Sequence, residues 1–92
     1  MKIDKDFLPV GTVVKLRLED RMFMIVGYYG TNKTTKKVYD YIGVYYPFGF
    51  EGEENLLTFN RSYVKEILHM GYENERFVKF KEELEKIDKL EK

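Results

Sequence analysis

The run from Tyr39 to Phe50, with the sequence YDYIGVYYPFGF, constrains the fold more than any other part of the chain. Its residues 39–46 place apolar or aromatic side chains on both faces of a predicted strand, and Pro47 ends the pattern. A strand that is apolar on both faces needs packing on each of them. We therefore expect this small domain either to cover the second face itself or to offer it to a partner.

Length and composition limit the class of protein to which this chain can belong. The 92 residues predict a single domain over residues 1–92, near the lower limit of what one hydrophobic core stabilises. The chain has no cysteine, which excludes disulfides and thiolate metal sites. The N-terminus lacks an apolar signal region, and no apolar run approaches the roughly 20 residues of a membrane-spanning helix. We expect a cytoplasmic protein with no membrane segment.

Apolar patterning predicts a sheet of four or five strands between about residues 8 and 71. The predicted strands cover residues 12–18, 21–28, 39–46, 56–59 and 66–70. Asn60 would cap a single helical turn before the last of them, and residues 66–70 could instead continue that turn as helix. The second and third strands are apolar on both faces, so we expect them to form the centre of the sheet, with the first beside them.

Strand alternation also predicts which side chains meet in the core. We expect Ile42, Val44 and Tyr46 to share one buried face with Leu16 and Ile25. The same rule places Leu18 with Leu16 on the first strand. On the second strand it groups Met22, Met24, Val26 and Tyr28.

The C-terminal segment has the clearest helical pattern, an apolar stripe at three- and four-residue steps. The stripe consists of Phe77, Phe80, Leu84, Ile87 and Leu90, and it predicts a helix over about 74–90 capped by Asn74 or Glu73. The predicted class is α+β: a small, strongly bent antiparallel sheet with a C-terminal amphipathic helix. An SH3-like barrel with the helix added is the first arrangement, and an open sheet with the helix across one face is the second. The stripe suits either the chain's own sheet or a partner.

No set of residues indicates catalysis, a metal or a cofactor. His69 is the only histidine, and the adjacent pairs Glu53–Glu54 and Glu82–Glu83 lie in charged surroundings. Paired catalytic carboxylates need environments that separate their pKa values. The glycines match no phosphate-binding spacing. We therefore expect a non-enzymatic protein.

A nucleic-acid-binding surface is the alternative. Lys33, Lys36 and Lys37 precede a strand that carries Tyr39, Tyr41 and Tyr45, and small barrels bind single strands with such aromatics beside basic loops. Against it, the net charge is zero: residues 1–46 have eight basic and five acidic residues (+3), and residues 47–92 have eight and eleven (−3). Phosphate contacts usually supply much of the affinity for nucleic acid.

Five segments together resemble a bacterial family, the domain of unknown function 4176. They are Leu8–Val14, Met24–Tyr28, Tyr39–Val44 with Tyr46–Gly49, Phe59-Asn60 and Gly71–Glu73, so the resemblance covers roughly residues 7–74. Members occur in Gram-positive bacteria, often beside genes for type VII secretion and its LXG toxins. The resemblance implies an accessory role, such as a cytoplasmic chaperone or targeting adaptor for an exported toxin; an immunity or regulatory role is also compatible. It brings no catalytic residues.

Together, the apolar surplus and the resemblance predict a protein-binding module whose partner is the toxin or its helical accessory proteins. Aromatic side chains are the usual anchors of such interfaces. The candidate partner-binding residues are those that alternation and the turn direct away from the predicted core: Tyr39, Tyr41, Tyr45, Phe48 and Phe50.

Overall fold

The computed structural model of the chain describes residues 6–91. They form a five-stranded antiparallel sheet and one C-terminal α-helix, as the predicted α+β class requires. The strands are β1 (Val13–Leu16), β2 (Met22–Thr31), β3 (Val38–Tyr46), β4 (Leu57–Phe59) and β5 (Val64–His69), and the helix is α1 (Glu75–Glu91). Single 3-10 turns over Glu53–Asn55 and Arg61–Tyr63 precede β4 and β5.

The strand order is β4-β3-β2-β1-β5, with β2 and β3 in the interior and β1 beside β2, as expected. Of residues 66–70, residues 66–69 belong to strand β5, and none of them is helical. The two edge strands, β4 and β5, lie at opposite ends of this order, so the sheet is open within residues 6–91. The SH3-like barrel is not confirmed, and the open sheet matches the second arrangement.

One face of the sheet carries the hydrophobic core, and α1 packs on that face. The core joins side chains of all five strands to the segment before β1 and to the helix: Phe7, Leu8, Val14, Leu16, Phe23, Ile25, Tyr41, Phe59, Val64 and Leu84. Leu84 is 2% exposed, and its carbonyl accepts a 2.6 Å hydrogen bond from the Tyr29 hydroxyl. The Asn74 side chain caps the helix by accepting the Phe77 N–H at 3.1 Å, which confirms one of the two predicted caps.

The prediction that Ile42, Val44 and Tyr46 share the face of Leu16 and Ile25 is wrong. In the β2–β3 register Ile25 lies opposite Gly43, so the alternate positions of β3, including buried Tyr41, face the core. Gly43 explains why these positions of β3 face the core, because a Cβ at residue 43 would lie 2.8 Å from the ring of Phe59. Alternation could not decide between two apolar faces, whereas the space required by Phe59 does.

A β-bulge in β2 corrects the predicted grouping of that strand. Ile25 pairs with Gly43 and Gly27 with Ile42, which leaves Val26 as an additional residue. An additional residue shifts the alternation that follows it. Tyr28 consequently lies opposite Tyr41 and packs against the core, away from the face of Met22 and Met24.

Two local predictions are also corrected. β1 ends at Leu16, and Leu18 is 97% exposed with a φ of 61°, so it belongs to a turn and not to the core. Asn60 begins the predicted turn but does not cap it with its side chain. Its Oδ1 instead accepts the Asp40 N–H at 3.0 Å, which links the end of β4 to β3.

Candidate partner-binding surface

The face of the sheet opposite α1 has an apolar centre. Val13, Met24 and Val44 lie opposite one another across β1, β2 and β3, and Met22 lies opposite Tyr46 in the next row. Val44 is 3% exposed, whereas Tyr46 is 45% exposed. We define the open face as Met22, Met24, Ile42, Val44 and Tyr46; of these, Met22, Met24 and Ile42 are partly exposed.

Two exposed phenylalanines adjoin the open face at the end of β3. Phe48 and Phe50 are 69% and 66% exposed. Gly49, between them, donates its N–H to the Tyr45 carbonyl at 2.8 Å and adopts a φ of 78°, a conformation that favours glycine. This bond fixes the turn beside Tyr46, so the apolar surface continues from the strands into the turn.

The five predicted partner-binding residues differ in their exposure to solvent. Phe48 and Phe50 are exposed, and Tyr39 is partly buried with its hydroxyl 3.3 Å from the Thr35 hydroxyl. Tyr41 is fully buried, which removes it from the accessible surface. Tyr45 is partly buried and packs on the core side, with its ring centroid 5.1 Å from that of Phe23.

Sequence reasoning missed the strand residues of the open face. Simple alternation places Ile42 and Tyr46 on the core face, which reverses the two faces of β3, and it does not single out Met22 or Met24 as partner-binding candidates. The available signal was Gly43 within the strand. A glycine inside a strand often marks a close approach by another group, and here that group is the ring of Phe59.

Tyr41 instead secures the segment that precedes β1. Its hydroxyl accepts the N–H of Leu8 at 2.8 Å, and the Tyr28 hydroxyl donates to the carbonyl of the same residue at 2.5 Å. Burial raises the pKa of Tyr41, and burial raises the pKa of Tyr28 to about 12, partly offset by the backbone N–H of Val10. Both phenols therefore stay protonated across the neutral range and hold Leu8 over the core.

A groove of about 750 Å³ opens at the β3–β4 side of the open face. Ile42, Leu56 and Thr58 line it together with Glu53 and Glu54, and residues 30–34, the end of β2 and the start of the following loop, form the facing wall. Gly30 of β2 allows this close approach, because a Cβ there would lie 2.4 Å from Ile42 Cγ1 and 2.9 Å from Thr58 Cγ2. The groove is therefore a continuation of the open face between a loop and a 3-10 turn.

The basic loop lies at the rim of this groove. Lys33, Lys36 and Lys37 are exposed, and Lys33 Nζ lies 3.7 Å from Glu53 Oε2. Asn32 organises the loop, because its Oδ1 accepts the N–H groups of Thr34 and Thr35 at 2.8 and 3.0 Å. Of the tyrosines that the nucleic-acid hypothesis would use for stacking, Tyr41 is buried and Tyr45 is partly buried.

A charged network lies partly buried between the sheet and α1. Arg61 Nε lies 3.1 Å from Asp40 Oδ2, Arg61 Nη2 lies 2.9 Å from Asp88 Oδ2, and the guanidinium is 4.2 Å from the Phe7 ring centroid. Burial lowers the pKa of Arg61, but hydrogen bonds to Asp88 and Asp40 raise it overall. The three side chains bind one another and join β3 to the helix, so we assign this network a structural role.

Within residues 6–90 no group of three or more His, Asp or Glu side chains is arranged to hold a metal ion. Among the described helices none is long and apolar enough to cross a membrane.

Comparison with known protein families gives a match for this chain. The family model of the domain of unknown function DUF4176 matches residues 7–80. The chain belongs to the DUF4176 family. No similar curated protein and no similar solved structure was found.

The structure assigns physical roles to motif residues that carried the resemblance to DUF4176. Gly71 is required because a Cβ there would lie 2.4 Å from the Val10 carbonyl oxygen, and its N–H donates to Thr12 Oγ1 at 3.0 Å. Asp40 accepts the Arg61 N–H at 2.9 Å, while its own N–H donates to Asn60. These contacts hold strands and turns together, so the motif describes the fold of DUF4176 rather than a reactive site.

Proposed function

We propose that this DUF4176 domain is a non-enzymatic protein-binding module and that its partner docks on the open face together with Phe48 and Phe50. The supporting observation is the apolar open face itself, continuous with two phenylalanines that are 69% and 66% exposed. Contiguous exposed apolar surface is typical of interaction sites. α1 packs on the other face through Leu84, so it cannot serve as the cover.

The proposed setting comes from the family. We propose that the domain acts in the cytoplasm as a chaperone or targeting adaptor for an LXG toxin of a type VII secretion system. The support is the gene setting that the resemblance to DUF4176 implies, beside genes for such toxins. The proposed partner is the toxin or one of its helical accessory proteins.

The test is co-expression of the domain with the toxin encoded nearby, followed by capture through a tag on the domain. The variant Phe48→Ser/Phe50→Ser should reduce recovery of the toxin at least tenfold, because central aromatic anchors dominate interfaces at about 2 kcal/mol or more each. Tyr72→Ser is the matched control, since Tyr72 is an exposed aromatic (81%) outside the open face. Equal recovery with all three proteins contradicts the proposed surface, and no recovery with the parent contradicts the adaptor role.

Nucleic-acid binding is the second candidate. It is supported by the exposed lysines 36 and 37 near the partly exposed Tyr39. Fluorescence anisotropy with single-stranded RNA and DNA at rising salt tests it, because a phosphate-based interaction weakens steeply with salt. Tight binding that Lys36→Ala/Lys37→Ala abolishes would favour this candidate over the protein-binding module.

A further inference from the structure

The groove beside the open face combines an apolar floor with an acidic wall. Ile42 and Leu56 contribute apolar side chains, while Glu53 and Glu54 line the same space. Lys33 lies 3.7 Å from Glu53, and the two side chains are 91% and 80% exposed. Among the residues that line the groove, one lysine faces two carboxylates, so the lining carries an excess of negative charge next to apolar surface; Lys36 and Lys37 belong to the same loop but do not line the groove. A complementary occupant is apolar with a positive flank.

The two edges of the sheet disfavour binding by strand addition. β4 is three residues long. β5 pairs with β1 through two register shifts and carries the exposed charges of Lys65 and Glu66. Short, irregular and charged edges are the features that prevent further strand pairing. An occupant of the open face therefore binds through side chains, as an amphipathic helix does in an apolar groove.

We propose that the partner of the open face is an amphipathic helix with Lys or Arg beside its apolar stripe; this inference rests on the proposed protein-binding function. The apolar stripe packs on Met24, Ile42 and Leu56. The flanking cations meet the carboxylates of Glu53 and Glu54.

The geometry makes Lys33 a competitor of the partner's cations for the carboxylate of Glu53. In the free domain Lys33 lies against Glu53, where a partner cation would bind. An exposed ion pair of this kind contributes little to stability, so an incoming helix displaces it at small cost. Removal of Lys33 should therefore strengthen binding of a basic helix. A polynucleotide would show the opposite response, because it would lose a phosphate contact.

The probe is a designed peptide of Leu and Lys in amphipathic order, about five helical turns long, and its counterpart has Glu in place of Lys. Calorimetry measures affinity, and methyl NMR of Met24 and Ile42 reports the location. The Leu–Lys peptide should bind and shift both methyl signals, whereas the Leu–Glu peptide should not bind. Glu53→Gln/Glu54→Gln should weaken binding by about three- to tenfold, and Lys33→Ala should strengthen it by about twofold.

Glu82→Gln/Glu83→Gln is the matched control. It removes the same charge from another adjacent pair, one member of which also contacts a lysine, with Glu83 Oε2 3.3 Å from Lys86 Nζ. The control should leave the affinity for the Leu–Lys peptide unchanged. Equal weakening by both double variants, equal binding of the Leu–Glu peptide, weaker binding after Lys33→Ala, or no shift at Met24 and Ile42 would each overturn the inference.

The same glutamate variants in the toxin capture experiment separate this inference from the proposed function. Loss of capture with Phe48→Ser/Phe50→Ser but full capture with Glu53→Gln/Glu54→Gln would refute the basic helix and leave the binding module intact. Full capture with both would refute the proposed surface as well. Loss with both, and not with the Glu82→Gln/Glu83→Gln control, would support both.

Discussion

Removal of one hydroxyl from Tyr41 should destabilise the domain substantially. The Tyr41 hydroxyl accepts the Leu8 N–H at 2.8 Å, and these residues are 0% and 7% exposed. Tyr41→Phe keeps the ring in the core but leaves that buried N–H without its acceptor. An unsatisfied buried donor costs about 1–3 kcal/mol. For a domain of this size such a loss lowers Tm by roughly 4–8 °C per kcal/mol.

Urea unfolding followed by circular dichroism measures this free energy directly. Tyr72→Phe is the control, because Tyr72 is 81% exposed and its hydroxyl can bind water. Tyr28→Phe should cost less than Tyr41→Phe, since Tyr28 is only partly buried. A Tyr41→Phe variant within about 0.5 kcal/mol of the parent, the range of ordinary surface substitutions, would refute the role assigned to this hydroxyl.

Three other measurements test the assignment of faces, the basic loop and the tyrosine environment. Ile25→Ala should cost about 2–5 kcal/mol in the free energy of unfolding, and Ile42→Ala clearly less, because only Ile25 is fully buried; equal costs would contradict the assignment. Replacement of Lys33, Lys36 and Lys37 by Ala should leave Tm nearly unchanged, since exposed charges contribute little; a large drop in a thermal melt would contradict this. The raised pKa of Tyr28, about 12, and of Tyr41 means that folding favours the protonated phenols. Their stabilisation should be complete below about pH 10 and lost as pH rises toward 12, so unfolding should accompany part of the tyrosinate absorbance; ionisation of all tyrosines near pH 10 in the folded state would contradict it.

The elements of the fold could be predicted from local pattern because each depends on nearby residues. The stripe from Phe77 to Leu90 predicts α1, and the apolar run over 39–46 predicts β3; both are confirmed. The faces of the strands depend on distant contacts and were harder to assign. Val26 enters β2 as an additional residue, and nothing in the alternation of its neighbours indicates it. Gly43 faces the core because of Phe59, a residue of another strand.

The sequence predicts only part of the candidate site, because some of its residues also depend on distant contacts. Phe48 and Phe50 lie on either side of Gly49 just after Pro47, so their exposure follows from local sequence. The position of Tyr41 depends on Leu8, which is 33 residues away. A tyrosine hydroxyl that serves a distant backbone group leaves no local signal, and only the assembled sheet distinguishes such a residue from an interface anchor.

The sheet has two apolar faces, but the described residues provide a covering helix for only one of them. β2 and β3 bring apolar side chains to both faces of the sheet, but α1 is the one long helix among residues 6–91 and it packs on the face of Tyr41 and Ile25. Val44 is buried, whereas Met22, Met24, Ile42 and Tyr46 keep exposed surface. Methionine side chains are flexible and adapt to different partners. A partner that completes this face would supply the second layer that a doubly apolar β3 requires, which is why we propose binding.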